Sequence, residues 1–501
     1  MKVLPLIGIA LIVVVSTIVW SCNQRTDTKN VDVTTTEPVV ATEKARVPDW
    51  HKNANIYEVN LRHYTPEGTF AAFQEHLPRL KKMGVDILWF MPIHEVSKAR
   101  RKGELGSPYA VKDYVGVNPD YGTMEDFDQL LRAIHDQGMY CILDWVPNHT
   151  GWDHAWIAEH PEYYTKDKSG NITDPLNPET GESWGWTDVA DLDYDNPDTR
   201  SAMINAMKFW VDKGTDGFRV DVAHSVPVDF WEEATTALYA LRPLFLLAEA
   251  EKPALRNNGS FIMDYGWEMH HLLNSIAQTQ GVNRIAAAKL QQGNLVEGSD
   301  EDHPEVFATA IDDLLAKKDR QYEHGYAMHF TSNHDENSWA GTEFDRMGSG
   351  HQAFAVLTAT FDGMPLIYSG QESAMDKRLE FFKKDEIPWG TYAYADFYQT
   401  LLELKHRNQA LWNGVHGGPL QKIETGADRA VYAFTRAKNG DRVVVVINLS
   451  NTPQDIELNT KALRGRYQDV FARADLNWGD SERLALQPWE YLVLEAQSEP
   501  K

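Results

Sequence analysis

The chain has 501 residues, 43% apolar and 24% charged, a globular mixture too long for one ordinary core. Its formal net charge of −25 makes nucleic acid and anionic membrane surfaces poor partners, while a neutral substrate is not repelled. The only two cysteines, Cys22 and Cys141, give no disulfide framework: one ends a leader-like segment and the other lies in an apolar run.

The leader, MKVLPLIGIALIVVVSTIVWSC, has a basic Lys2, an apolar stretch from Leu4 to Trp20 and a small residue before Cys22. It reads as a lipoprotein signal over residues 1–22, cut before Cys22 and lipidated there. An uncleaved anchor is the rival, since the apolar run nears the ~17–25 residues that span a bilayer. Both readings export the protein, to the periplasm or the cell surface, and tether its N-terminus to a membrane. Residues 23–46 are polar with no periodic apolar face, and predict a flexible spacer.

After Pro48, short apolar runs recur: NIYEVNL, VDILWFMPI, MYCILDWV, GFRVDVA, LFLLAEA, FIMDYG, AMHFTSN and MPLIYSG. Amphipathic stretches such as FAAFQEHLPRLKKMG, DFDQLLRAIHDQG and RSAMINAMKFWVDKG separate them, several closing on the Lys/Gln-Gly signal of a helix C-terminus. Eight strands alternating with helices predict an α/β chain folded as a closed parallel (β/α)₈ barrel over residues 47–410. FIMDYG carries the weakest strand pattern. Between about 150 and 195 the chain lacks helical periodicity and is too long for an ordinary loop, so a small subdomain is inserted after the third strand. Residues 411–501, with VYAFTRAKNGDRVVVVINLS and EYLVLEAQ, predict a C-terminal antiparallel β-sandwich.

Barrel sites lie at the C-terminal strand ends. There the runs deliver Asp144, Asn148 and His149, then Arg219, Asp221 and His224, then Glu249 and Glu251, then Asn333, His334 and Asp335. Singly, such residues are more often helix caps, ion pairs or satisfied hydrogen bonders. Gathered on one rim, carboxylates repel, so one should hold its proton as an acid while a neighbour beside Arg219 stays ionised. Two carboxyl groups with divided roles suggest glycoside cleavage. A metal site is the competitor, but HDEN and NHTGWDH match zinc-ligand spacing poorly.

These residues resemble the α-amylase family of glycoside hydrolases, family 13. DWVPNH, GFRVDVAH, LLAEAE and FTSNHD look like its four motifs in order, DVADLDYDNP like the short motif closing the inserted domain, and SPYAVKDYVGVNPDYGT like the stretch after the second strand. The resemblance implies Asp221 as nucleophile, Glu249 as acid and base, and Asp335 as the carboxylate that holds sugar hydroxyls. Arg219 would keep Asp221 ionised, His149 and His334 would bond the sugar at the cleavage point, and Tyr109 would stack beneath it. It implies a retaining hydrolase of α-1,4-glucans or maltooligosaccharides, with Asp221 and Glu249 carboxyl groups ~5–5.5 Å apart. An exo-acting α-glucosidase, a transglycosylase and a non-catalytic glycan-binding lipoprotein are the alternatives. It also implies a Ca²⁺ site through Asn148 and Asp191, although members without that calcium also carry the Asn. Ala248, His224 and Ser107 depart from residues common in the family, and leave the substrate open.

Overall fold

The computed structural model describes residues 46–177, 180–282 and 304–497, with the backbone of 289–291 and 294–296. Cys22, with its leader and all but the end of the spacer, lies outside the described residues.

Eight parallel strands close in chain order: β1 (Ile56–Val59), β2 (Ile87–Phe90), β3 (Tyr140–Trp145), β4 (Gly217–Val220), β5 (Phe245–Ala248), β6 (Met263–Tyr265), β7 (Tyr326–His329) and β8 (Met364–Tyr368), which pairs back with β1. All eight expected strands are present. Even the three-residue β6, from FIMDYG, bonds to both neighbours.

The unbroken apolar character of these strands follows from burial on both faces. Ile56, Ile87, Trp89, Ile142, Leu247 and Met263 fill the barrel, whereas Tyr57, Leu88, Leu143, Phe218 and Leu246 meet the helices outside. Side chains two apart share a face, so the residue beyond each inner apolar one reaches the rim. Glu58 follows Ile56, Asp144 follows Ile142, Arg219 follows Gly217 and Glu249 follows Leu247. Gly217 is dictated by contact: a Cβ there would stand 1.8 Å from the Phe245 carbonyl oxygen. Without glycine, β4 and β5 could not approach.

The stretch FAAFQEHLPRLKKMG predicts one helix, but two form, Phe70–Gln74 and Leu77–Met83. Pro78, in the first turn of the second, would clash in a continuous helix with the carbonyl four residues earlier. Elsewhere the glycine signals act as expected: Lys213 ends its helix and Gly214 caps it at φ 110°.

The insertion after β3 is anchored by a short antiparallel ribbon, His149–Gly151 with Val189–Asp191, which places His149 opposite Asp191. At the C-terminus a six-stranded antiparallel sheet packs a two-stranded ribbon, Gln454–Asn459 with Ser481–Leu486, on one face. The run VVVVI of its strand Asp441–Asn448 is apolar throughout because both faces are covered. Val443, Val445 and Ile447 pack on the barrel helices with Phe354 and Leu404, and Val444 and Val446 pack with Ile456, Leu458 and Leu486.

Candidate active site

Arg219 is the centre of the rim. It is fully buried, and its Nη1 reaches Asp144 Oδ1 at 2.8 Å and Asp221 Oδ1 at 3.0 Å, while Nη2 lies 2.7 Å from Glu249 Oε1. Its Nε donates to the Tyr265 hydroxyl at 3.1 Å. The rings of Trp89, Tyr265 and Tyr109 surround the guanidinium at 5.0, 5.6 and 5.8 Å. A buried cation is costly unless compensated, and here three carboxylates and three aromatic faces do so.

The compensation exceeds one charge. Burial and the charge of Glu249 push Asp221 well above the ordinary carboxylate range, against the pull of Arg219. Burial pushes Glu249 up too, but Arg219 and the Val222 N–H outweigh it and hold Glu249 below that range. The two titrate as a pair. The sequence expectation gave Arg219 to Asp221 alone; the structure shares Arg219 among Asp144, Asp221 and Glu249.

Val222 explains part of this. It follows Asp221 with φ 36° and ψ 44°, a left-handed conformation uncommon for a β-branched residue. That conformation aims its N–H at Glu249 Oε2, 2.7 Å away. The local chain after β4 thus holds the position of a carboxylate just beyond β5.

A second cluster stands alongside. Tyr109 donates its hydroxyl to Asp144 Oδ2 at 3.0 Å and lies 2.7 Å from His334 Nε2, their rings stacked 5.4 Å apart. On the other side of that imidazole, Nδ1 meets Glu58 Oε1 at 2.5 Å. Burial alone would lower the His334 pKa, but Asp335 and Glu58 raise it to about 9. A charged His334 donates from both nitrogens, and Tyr109 passes its own proton towards Asp144. Asp335 Oδ2 lies 3.4 Å from His334 Nε2, with its side chain 36% exposed. It is the most open of the three carboxylates expected to act on substrate.

His149 bonds the Tyr109 backbone and meets Trp186 edge-on at 5.9 Å; burial lowers its pKa to about 4, so it is neutral. Asn148 is its chain neighbour, and the Asn148 carbonyl accepts from Leu192 N at 3.1 Å, which brings Asn148 beside Asp191. His224 is exposed, and with Glu249, Glu251, Lys252 and Trp267 it lines a cavity of about 550 Å³. Ser107 Oγ caps the Tyr109 N–H at 3.1 Å.

A family model described as the α-amylase catalytic domain matches residues 24–413. The chain belongs to the α-amylase family. A second family model, the maltogenic amylase C-terminal domain, matches residues 421–493. α-Amylase 3 of Dictyoglomus thermophilum is 25% identical over 483 residues, spanning 82% of this chain and 88% of its own. The probable oligo-1,6-glucosidase 2 of Bacillus subtilis is 26% identical over 395 residues, 67% of this chain and 68% of its own. Among solved structures, an α-amylase from Lactobacillus plantarum superposes with a TM-score of 0.74 at 27% identity, covering 89% of this chain and 99% of that one. A noncanonic maltogenic α-amylase from Thermotoga neapolitana has the same TM-score and coverage at 24% identity, a likeness of fold.

In this α-amylase family chain, the structure gathers Tyr109, His149, Arg219, Asp221, Glu249, His334 and Asp335 on one rim. It adds residues that reading by motif did not assign. Asp144 is recognisable at a strand end but given no role; Glu58, Trp89 and Tyr265 are not singled out at all. Each stands two residues beyond an inner apolar one, so strand alternation was the signal available for them.

Proposed function

We propose that this protein hydrolyses α-1,4-glucosidic bonds of starch-type glucans or maltodextrins with retention at the anomeric carbon. The observation that carries this is the pair Asp221 and Glu249 held on one buried guanidinium, with Asp335 open beside them. Such a pair has the composition that double displacement needs. With a sugar between the two carboxyl groups, Glu249 holds the proton and Arg219 keeps Asp221 ionised. Asp221 attacks the anomeric carbon while Glu249 gives its proton to the departing glycosidic oxygen, and the C–O bond to the leaving chain breaks. Glu249, now a base, takes a proton from water, whose oxygen attacks the same carbon and releases Asp221. Asp335 bonds sugar hydroxyls as positive charge develops at the ring, and His334, with its two N–H groups on Glu58 and Tyr109, holds Tyr109 in place beneath the sugar.

The experiment is the chain-length and reducing-sugar profile from amylose, with the anomer of the first product followed by NMR, for wild type and Asp221→Asn. Rapid shortening with α-anomeric product, lost in the variant, is the expected result. Glucose alone from chain ends would mark an exo-acting α-glucosidase. Longer chains formed from maltotriose would mark a transglycosylase. No release from amylose, pullulan or maltotriose would refute the substrate assignment.

We propose Asp191 and Asn148 as the place for calcium among the described residues. Asp191 is pushed up to about 7 by burial, with Asp193 and Asp174 adding repulsion, and no Lys or Arg pairs with it among the described residues. Asn148 stands next to it across the ribbon, and oxygen donors of this kind suit a hard cation. Among the described residues no group of three or more His, Cys, Asp or Glu is placed to hold a metal, so backbone carbonyls and water would complete the shell. Calcium there would tie the insertion to β3.

We further propose that Cys22 is lipidated and anchors the enzyme to an exported membrane surface. The sequence pattern of residues 1–22 supports this. Detergent-phase partitioning of wild type against Cys22→Ala tests it; an unchanged partition would refute lipidation as the anchor.

A further inference from the structure

The insertion after β3 carries two tryptophans that none of the chemistry above uses. Trp184 is among the few large apolar side chains left in water, at 39% exposure. It stacks on Trp186 with centroids 6.0 Å apart and planes 21° off parallel, and Trp186 in turn meets His149. An aromatic line therefore runs from the cleavage point outward: His334 on Tyr109, His149 on the Tyr109 backbone, Trp186 on His149, Trp184 on Trp186.

The turn that bears these rings is held in place. Lys102, from the segment after β2, donates to the Gly185 carbonyl at 3.2 Å and pairs with Asp188 at 2.9 Å. Trp152 Nε1 donates to the Thr187 carbonyl at 3.1 Å. Ser183 Oγ bonds Asp174. Two flanking side chains thus brace a turn whose tip presents an open indole face. Trp184 keeps 39% of its surface in water although its ring is stacked on Trp186, so apolar ring surface is left available at the tip. A flat, rigid ring costs little conformational entropy to use in binding, and its face suits the C–H face of a pyranose.

We propose that Trp184 and Trp186 form a platform for a sugar residue of the α-glucan chain beyond the cleavage point, so that the enzyme favours chains long enough to reach it. This rests on the glucan-hydrolase reading above and names its preferred substrate: a chain rather than a disaccharide-sized molecule. His149 links the platform to the cleavage point, which makes the two one continuous surface. The acidic net charge disfavours an anionic occupant, and a neutral sugar meets no such barrier.

The test compares kcat/KM on maltoheptaose with kcat/KM on a 4-nitrophenyl α-maltoside for wild type, Trp184→Ala, Trp186→Ala and Trp184→Tyr. The long-to-short ratio is expected to fall about tenfold in Trp184→Ala, mainly through KM, and to recover in Trp184→Tyr, which keeps a ring. Equal losses on both substrates would mean that the rings only support His149, and an unchanged ratio would mean that they bind nothing; either overturns the platform. Migration in amylose-containing native gels, with Asp221→Asn as background, reads binding without turnover. Retarded Asp221→Asn protein released by adding Trp184→Ala supports the platform even if wild type cleaves no glucan, a result that would sink only the hydrolase reading. Retardation unaffected by Trp184→Ala, with wild type active on amylose, sinks only the platform.

Discussion

Glu58 on β1 and His334 beyond β7 meet at 2.5 Å, carboxylate oxygen to ring nitrogen, both shielded from water. Nothing in either residue's local sequence brings them together; closure of the barrel does. The groups facing His334 are Glu58, Asp335, the Tyr109 hydroxyl, the further carboxylates Asp144 and Glu249 and, as the opposing cation, Arg219. With its pKa raised to about 9, His334 contributes stability that is fully present below the ordinary histidine pKa of ~6.5 and lost as pH rises through about 9. Glu58→Gln removes the nearest anion and keeps the shape. Its expected effect is an alkaline limb of kcat/KM displaced to lower pH, with a matching loss of thermal stability between neutrality and that limb. Superimposable pH profiles would show that the charge on His334 is not set by Glu58.

Asp221→Asn separates function from stability. The variant should lose activity by on the order of 10⁶-fold, as removal of a nucleophile does. Yet Asp221 is one of three carboxylates on a single guanidinium, and its burial and repulsion by Glu249 raise its pKa. Neutralising it relieves that repulsion while Arg219 keeps Asp144 and Glu249. Calorimetry should therefore give a Tm equal to or above wild type. A clear fall in Tm would mean that the attraction to Arg219 dominates.

Arg219→Leu should behave oppositely. It strands Asp144, which is 1% exposed, beside two further carboxylates. Breaking a buried ion pair from one side costs about 3–5 kcal/mol. Urea unfolding at neutral pH should show that loss, shrinking towards acid pH as the carboxylates protonate; a loss independent of pH would point to packing instead.

Asp191 gives the metal prediction. Its folded pKa of about 7 lies above its ordinary value of 3.8, so in metal-free protein its contribution falls as pH rises from about 4 to 7, because the unfolded chain releases its proton first. A bound cation reverses this. Calcium should raise Tm at pH 8 in wild type, and that gain should vanish in Asp191→Asn, which in chelator should be at least as stable as wild type. A calcium response that survives in Asp191→Asn would place the ion elsewhere.

Much of this molecule was determined by sequence alone. Eight apolar runs spaced by helices specify a closed barrel, and each motif carries its polar residues to the end of its own strand, because side-chain alternation and burial on both faces are local properties. GFRVDVAH shows both sides of the matter. That Arg219 and Asp221 share the inner face could be read from their spacing of two. That Arg219 also serves Asp144 on β3 and Glu249 just beyond β5 could not, since it depends on the register of neighbouring strands. The same holds for Glu58, one acidic residue in NIYEVNL until β8 closes on β1 and His334 stands over it, and for Pro78, whose clash divides a helix that periodicity alone extends. Tertiary structure decided which charges share a dry site, and Coulomb's law then decided their protonation, because an ionisable group responds to neighbours in space and not in the chain.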